Sequence, residues 1–336
     1  MGSNRRAAVL SGIGSWLPPR TVSNHDLAAR LDTSDEWIRS RTGIVQRHVV
    51  EPGMSTGHLA TEAGARALES ASVDRVELVL VATTTPDRPC PATAPDVASR
   101  LGMSGVPAFD IAAVCTGFLY GLATASGFIA SGQADSVLVV AAETFSSILN
   151  PQDRSTAVIF GDGAGAVVLR AGDPAEHGAL LAVDLGSDGR LAELIMVPGG
   201  GSLQRSSGVP MDPTEAYFTM QGRDVYVNAV QRMTSSSRAV LARAGWRPGE
   251  VDAFIAHQAN LRILQSVAER VGIAEGRTVV NIDRVANTAS ASVPLALAHA
   301  AAEGILDVGS RVLLTAFGGG ATWGSAAFRW PELDRA

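Results

Sequence analysis

The chain has no lysine: all 27 of its basic residues are arginine. They are outnumbered by 33 acidic residues, and the formal net charge of −6 argues against a nucleic-acid partner. Arginine can still hold phosphates or an acidic protein surface locally, through its planar fork of donors. Cysteine is nearly absent as well. With only Cys90 and Cys115 there is no disulfide framework to read, and no cysteine cluster for a metal is expected. Also missing is an apolar leader: Met1-Gly2-Ser3-Asn4-Arg5-Arg6 runs into a strand-like segment without the hydrophobic core of a signal peptide. One stretch imitates a membrane span, since no charge occurs from Ile111 to Ala134. It is interrupted by Gly117, Gly121, Gly127 and Gly132 and by small hydroxyl residues, which suit a helix packed closely inside protein. A cytoplasmic chain without a membrane segment is the expectation. What remains is an ordinary globular balance, 46% hydrophobic and 18% charged, that excludes disorder and collagen-like repeats.

The 336 residues suffice for two average domains or one large layered unit. Short β-rich apolar runs alternate with alanine-rich helical stretches throughout, the pattern of an α/β fold. Strands are predicted over Ala8–Ile13, Val76–Thr83, Ala108–Ala112, Ser136–Ala142 and Ala164–Leu169. A second series covers Leu180–Leu185, Ala253–Ala256, Val312–Ala316 and Ser325–Trp330. Helices are predicted over His58–Ser70, Thr116–Ser131, Asp224–Ala244, Leu261–Val271 and Ser292–Glu303. Between the two series, the Gly/Pro/Ser-rich segment Gly186–Pro213 reads as an inserted loop region.

The halves look alike. Val76–Val81 and Val251–Ala256 each follow an alanine-rich helix and a short turn, and Val137–Ala141 and Val312–Ala316 each follow a glycine-containing turn. Both pairs share one offset, 251 − 76 = 175 and 312 − 137 = 175, the mark of an internal duplication. The division falls at 1–175 and 176–336. Chance likeness of valine-rich strings is the alternative, which an equal offset weakens.

Three residues can carry chemistry. Cys115 ends a strand and opens a long helix, whose unpaired N–H groups and partial positive charge stabilise a thiolate. His257, in Ala256-His257-Gln258-Ala259-Asn260-Leu261, stands at a strand end, where ligand sites of open α/β sheets collect. Asn287 comes just before a predicted helix. Singly, each has a structural explanation: inert packing for the cysteine, a core histidine, a helix cap for the asparagine. The cluster Gly161-Asp162-Gly163-Ala164-Gly165 imitates a dinucleotide fingerprint, yet it precedes a strand instead of opening a helix, which excludes NAD.

Taken together, these segments have a match. Asp35-Glu36-Trp37-Ile38 with Arg41-Thr42-Gly43-Ile44, the Cys115 segment, Phe160-Gly161-Asp162-Gly163, His257-Gln258-Ala259-Asn260-Leu261-Arg262, Asn287-Thr288 and Phe317-Gly318-Gly319-Gly320 occur in a characteristic order. The sequence resembles β-ketoacyl-acyl-carrier-protein synthase III, the initiating condensing enzyme of bacterial fatty-acid synthesis, in the thiolase-fold superfamily. The resemblance covers nearly the whole chain. It implies duplicated βαβαβ halves stacked in five layers, α-β-α-β-α, and a homodimer. It implies a triad of Cys115, His257 and Asn287, with an oxyanion hole from the N–H groups of Cys115 and Gly319. Trp37, Arg41 and Arg154 match positions that hold the nucleotide end of CoA. Arg262 and Asn260 match the carrier-protein docking site or the mouth of the pantetheine tunnel. No cofactor is implied, because acyl-CoA and malonyl-acyl-carrier protein are both substrates, and no metal either.

Departures from the family pattern are informative. Cys90 stands where many members place a bulky aromatic that closes the partner subunit's acyl pocket; the smaller side chain leads us to expect branched or medium-length primers. Ala286 replaces a common glycine beside Asn287, which raises a question of backbone strain. No lysine occurs on the expected docking stretches around Val227 and Ala268-Glu269-Arg270. Three other readings compete: a priming ketosynthase or acyltransferase of a secondary-metabolite pathway, a papain-like hydrolase, and an inactive scaffold. Thiolase itself is disfavoured, since no second cysteine lies near Gly318.

Overall fold

The computed structural model describes residues 6–333, so the leader expectation resting on Met1 to Arg5 lies outside the described residues. Two sheets form the frame. The first has the order Ala7–Trp16, Gly163–Gly172, Ser136–Glu143, Leu78–Ala82 and Ala108–Ile111. The second runs Leu180–Ser187, Thr322–Arg329, Arg311–Gly318 and Ala253–Ala256. Four strands of each correspond in order. Leu78 pairs in parallel with Val137 in the first sheet, and Ala253 with Val312 in the second, so the duplication holds at the level of register. The strand Ala108–Ile111 is an addition at the edge of the first sheet.

Five layers result, as the resemblance implies. Helices Gly117–Ala130 and Ser292–Ala302 lie between the sheets, where Phe118, Leu122, Val293 and Leu297 share one core with Leu80 and Val139 of one sheet and Ile255 and Leu314 of the other. Helices Thr56–Ser70 and Ala94–Arg100 cover the outer face of the first sheet, packing Leu59 and Val97 against Val79 and Leu138. Gly222–Ala244 and Leu261–Val271 cover the second, packing Met233 and Leu264 against Phe254 and Leu313. Val79 and Leu80 thus face opposite helical layers, as a period of two requires. Burial on both faces explains why these strands read as unbroken apolar runs. The charge-free stretch after Ile111 is the buried middle layer, and no helix among the described residues is long and apolar enough to cross a membrane.

The glycine-rich 161–165 segment leads into the strand Gly163–Gly172. There a Cβ on Gly165 would stand 2.7 Å from the Cβ of Pro294, so the glycine serves helix-to-sheet contact. Two expectations need correction. The helix predicted from Thr116 begins at Gly117, after a 3-10 turn Val114–Thr116 that contains Cys115. The Gly186–Pro213 segment is more than loop: it holds a 3-10 turn Gly189–Leu194, a strand Ile195–Met196 paired with Thr219–Met220, and a short helix Ser202–Ser206. Asp35–Thr42 and Ala94–Arg100 form helices too short to show an apolar period.

Candidate active site

Cys115, His257 and Asn287 line one cavity of about 180 Å³ between the halves. Each stands where a strand or turn ends, and all three are buried. His257 is the residue after Ala253–Ala256, and its backbone N–H donates to the Thr315 carbonyl at 2.8 Å, which continues the ladder by one step. Asn287 is fixed by a bridge to Phe160: its N–H donates to the Ile159 carbonyl at 3.0 Å, and its own carbonyl accepts from Gly161 N–H at 3.0 Å. The Asn287 Oδ1 accepts the Ala289 N–H at 2.9 Å, which leaves the amide NH₂ as the end open to the cavity. The asparagine therefore braces the turn that follows it instead of capping the helix Ser292–Ala302, and it lines the site as well.

Electrostatics divide the groups. Burial holds the His257 imidazole neutral, with its pKa lowered to about 3. Its Nδ1 is buried without a partner. A bare lone pair there is less costly than a bare N–H, so the proton belongs on Nε2, the nitrogen open to the cavity. His257 and Asn287 thus present two neutral donors. The expectation for Cys115 is corrected: burial pushes the thiol above its ordinary range, against the pull of its own backbone N–H. The turn before the helix supplies the favourable field, and desolvation outweighs it.

The backbone is strained around Cys115 and Asn287. Val114 has φ 46°, Ala286 φ 60° and Ala289 φ 47°, each within two residues of Cys115 or Asn287. Such conformations persist where surrounding structure imposes them, and they collect at functional sites. Ala286 answers the question its sequence raised: an alanine occupies a region that suits glycine. Gly318 is required by proximity, since a Cβ there would lie 2.8 Å from the Cys115 nitrogen. The Gly319 N–H has no protein acceptor among the described residues, and the Cys115 N–H none beyond its own sulfur.

Apolar side chains that sequence reasoning missed complete the cavity. Phe145 stacks on Phe160 with ring centroids 4.3 Å apart, and Phe218 meets them edge-on at 5.0 and 5.1 Å. Ile195, from the segment read as loop, and Met220, from beyond it, join this cluster. Cys90 is exposed and does not line this cavity.

A second cavity, of about 450 Å³, opens outward beside Trp37. The Arg41 and Arg154 guanidinium groups lie over the Trp37 ring, 4.7 and 5.4 Å from its centre. Arg154 also pairs with Asp32 at 3.1 Å. Ile159, Tyr226 and Asn260 line both cavities, so the outer one continues into the inner. Asn260 caps the helix Leu261–Val271, accepting from Arg262 N–H at 2.9 Å and donating to the Arg41 carbonyl at 2.8 Å. Arg262 donates to the Ser40 carbonyl at 2.8 Å and lines only the outer cavity. Both therefore tie two helices together at the mouth.

A buried thiol at a helix start, facing a neutral imidazole and amide across one cavity on a duplicated five-layer fold, defines a condensing enzyme of the thiolase fold. Comparison with known proteins agrees. The family model described as 3-oxoacyl-(acyl-carrier-protein) synthase III matches residues 109–189, and that of its C-terminal part matches 241–330. The chain is 60% identical to β-ketoacyl-(acyl-carrier-protein) synthase III 5 of Streptomyces coelicolor, over 97% of this chain and 98% of that protein. A solved 3-oxoacyl-(acyl carrier protein) synthase III from Pseudomonas aeruginosa superposes with a TM-score of 0.92 at 51% identity, covering 98% of this chain and all of that one. A priming β-ketosynthase of a polyketide biosynthetic pathway superposes at 0.91 with 34% identity, covering 98% of both chains. The chain belongs to the β-ketoacyl-acyl-carrier-protein synthase III family, whose members are acyltransferase-type condensing enzymes.

Proposed function

We propose that the chain condenses an acyl-CoA primer with malonyl-acyl-carrier protein, giving 3-ketoacyl-acyl-carrier protein, carbon dioxide and CoA. The observation that carries this reading is the single cavity lined by Cys115, His257 and Asn287 and continuous with the Trp37 mouth. CoA binds with adenine against Trp37 and phosphates against Arg41 and Arg154, and its pantetheine arm passes Asn260. Arg262 and the mouth around it receive the carrier protein. The Cys115 sulfur attacks the thioester carbon while the N–H groups of Cys115 and Gly319 hold the oxyanion. The bond to the CoA sulfur breaks, and CoA leaves as a thiol with the proton that Cys115 gave up.

Malonyl-acyl-carrier protein enters next. Its carboxylate leaves as carbon dioxide, and the bonding pair becomes an enolate whose oxygen accepts from His257 Nε2–H and the Asn287 amide. The enolate carbon attacks the acyl carbon, and Cys115 leaves as a thiolate that regains a proton from solvent. No group beyond these residues and the two substrates enters any step, so the reading calls for no cofactor. It places the chain in the cytoplasm as a homodimer, with Cys90 turned toward the partner's acyl pocket.

The second reading, a priming ketosynthase of a specialised pathway, is favoured by the likeness to the polyketide priming enzyme. One experiment separates them. Purified enzyme is given acetyl-CoA and malonyl groups on a fatty-acid carrier protein or on a polyketide carrier protein. A 3-ketoacyl product on the fatty-acid carrier supports the first reading; product on the polyketide carrier alone supports the second; no product on either refutes both.

A further inference from the structure

Shifted by 175 residues, the turn Val114–Thr116 falls on Ala289–Ala291, and the helix start Gly117 falls on Ser292. The backbone follows, with φ 46° at Val114 and φ 47° at Ala289. Cys115 therefore has a structural counterpart, Ser290. Gly318, the strand end against Cys115, has one in Glu143. The contact is repeated as well: Glu143 Oε1 lies 2.7 Å from Ser290 Oγ, just as a Cβ on Gly318 would lie 3.0 Å from that of Cys115. Where one turn holds a thiol in a cavity, the other holds a serine on a carboxyl. The mechanism above uses neither of the latter.

Glu143 and Ser290 are both 0% exposed. Among the described residues no ion pair reaches the carboxyl. Thr84 N–H donates to both its oxygens, at 3.1 and 3.0 Å, and the Thr85 and Thr83 hydroxyls donate to Oε2 at 2.9 and 3.4 Å. The titratable group that a charge on Glu143 would reach is the Cys115 thiol; His257, across the cavity, is neutral.

Counting hydrogens decides the state of the acid. The Ser290 hydroxyl has one hydrogen but two oxygen neighbours, the Ala82 carbonyl at 3.1 Å and Glu143 Oε1 at 2.7 Å. The carbonyl can only accept. A hydrogen on Oε1 satisfies both contacts, and burial of the carboxyl acts in the same direction. Ser290 is also where the segments converge, because a Cβ on Gly117 would lie 2.9 Å from that of Ala82 and 3.4 Å from that of Ser290.

We propose that Glu143 is an uncharged carboxylic acid whose O–H donates to Ser290, positioning the Asn287 turn against the Cys115 turn and keeping a second anion away from the thiolate. The proposal rests on Cys115 as the nucleophile, and alkylation of that thiol reads it without turnover.

The test is the pH profile of iodoacetamide alkylation at Cys115, followed on its own peptide from about pH 7 to about pH 11, well beyond the ordinary thiol value of about 8.5. Wild type, Glu143→Gln and Glu143→Ala are compared as full chains, with decarboxylation of malonyl-acyl-carrier protein measured beside them. The glutamine variant is expected to keep the wild-type midpoint, since no charge is lost. In the alanine variant decarboxylation falls about ten-fold, and glutamine, whose NH₂ can donate to Ser290, restores it. A midpoint lowered by about one pH unit or more in Glu143→Gln means that Glu143 was ionised, and overturns the proposal. Equal losses of decarboxylation in both variants overturn the positioning role. Should Glu143→Ala fail to fold, Ser290→Ala removes the same bond and carries the same ten-fold expectation. A failure of the condensation reading alone leaves the alkylation midpoints where they are.

Discussion

In the first half, the turn Val114–Thr116 leads from a strand into a buried helix and presents Cys115 to a cavity. In the second, Ala289–Ala291 makes the same passage, and its middle residue, Ser290, meets a buried carboxyl instead. The strand ends differ in the complementary sense. Ala82 and Glu143 close the first sheet, and His257 and Gly318 occupy the equivalent places on the second. One frame, repeated at a fixed offset, thus carries a reactive site on one side and a hydrogen-bonded plug on the other. Chemistry here is a property of the few residues at strand ends, and the frame supplies only their placement.

The sharpest way to break this comparison is to exchange the roles of the two turns. Cys115→Ala removes the nucleophile, and no acyl adduct should form with any acyl-CoA by intact-protein mass. Ser290→Ala, at the equivalent position, should keep the adduct while lowering the free energy of unfolding by about 1–3 kcal/mol, the cost of unsatisfied buried partners. An adduct in the first variant, or its loss in a folded second variant, would show that the turns are not divided as described.

A smaller effect is expected at Gly318. Alanine there puts a Cβ within 2.8 Å of the Cys115 nitrogen, so the nucleophile turn must shift. Displacement of that order should slow single-turnover acyl loading by about 10²-fold; loading at the wild-type rate would mean that the close approach is incidental.

Acidification tests the buried imidazole. Its folded pKa lies at about 3, below the ordinary value of about 6.5. Between the two, the unfolded chain binds a proton that the folded chain does not, so stability is present above the unfolded value and lost as pH falls. The expected slope is about 1.4 kcal/mol per pH unit for this one group. Urea unfolding of His257→Asn should lack that contribution, and an unchanged slope would place the proton elsewhere.

The smallest effect concerns Cys90. Cys90→Phe should leave acetyl loading nearly unchanged and slow isobutyryl and hexanoyl loading, at about 0.8 kcal/mol for each methylene denied burial. Equal slowing of all three would rule out Cys90 as the gate.

How much of this was legible beforehand follows the range of the interactions. Ala253–Ala256 and Leu261–Val271 coincide with their predicted bounds, because apolar periodicity and a glycine cap are local signals. Cys115, His257 and Asn287 were legible as motif residues at strand and helix ends. Glu143 was not: after Ala141 and Ala142 it reads as a surface carboxylate closing a strand. Its burying partners come from Thr83 to Thr85 and from Ser290, far away in sequence. The elevated thiol pKa was hidden for the same reason, since the helix start is visible in the sequence and desolvation is not. Ile195 was concealed in a stretch whose glycine and proline content suggested loop alone, and Phe218 in the short link between that stretch and the next helix.

The central claim is that Cys115 loads the acyl group while His257 and Asn287 decarboxylate malonate. It is tested most directly in His257→Ala and Asn287→Ala, by measuring acyl adduct on the protein and carbon dioxide release from malonyl-acyl-carrier protein in the same sample. The account predicts that both variants still carry the acyl mass on Cys115 while carbon dioxide release falls by about 10²–10³-fold. Release at the wild-type rate, or loss of the adduct together with release, would contradict it.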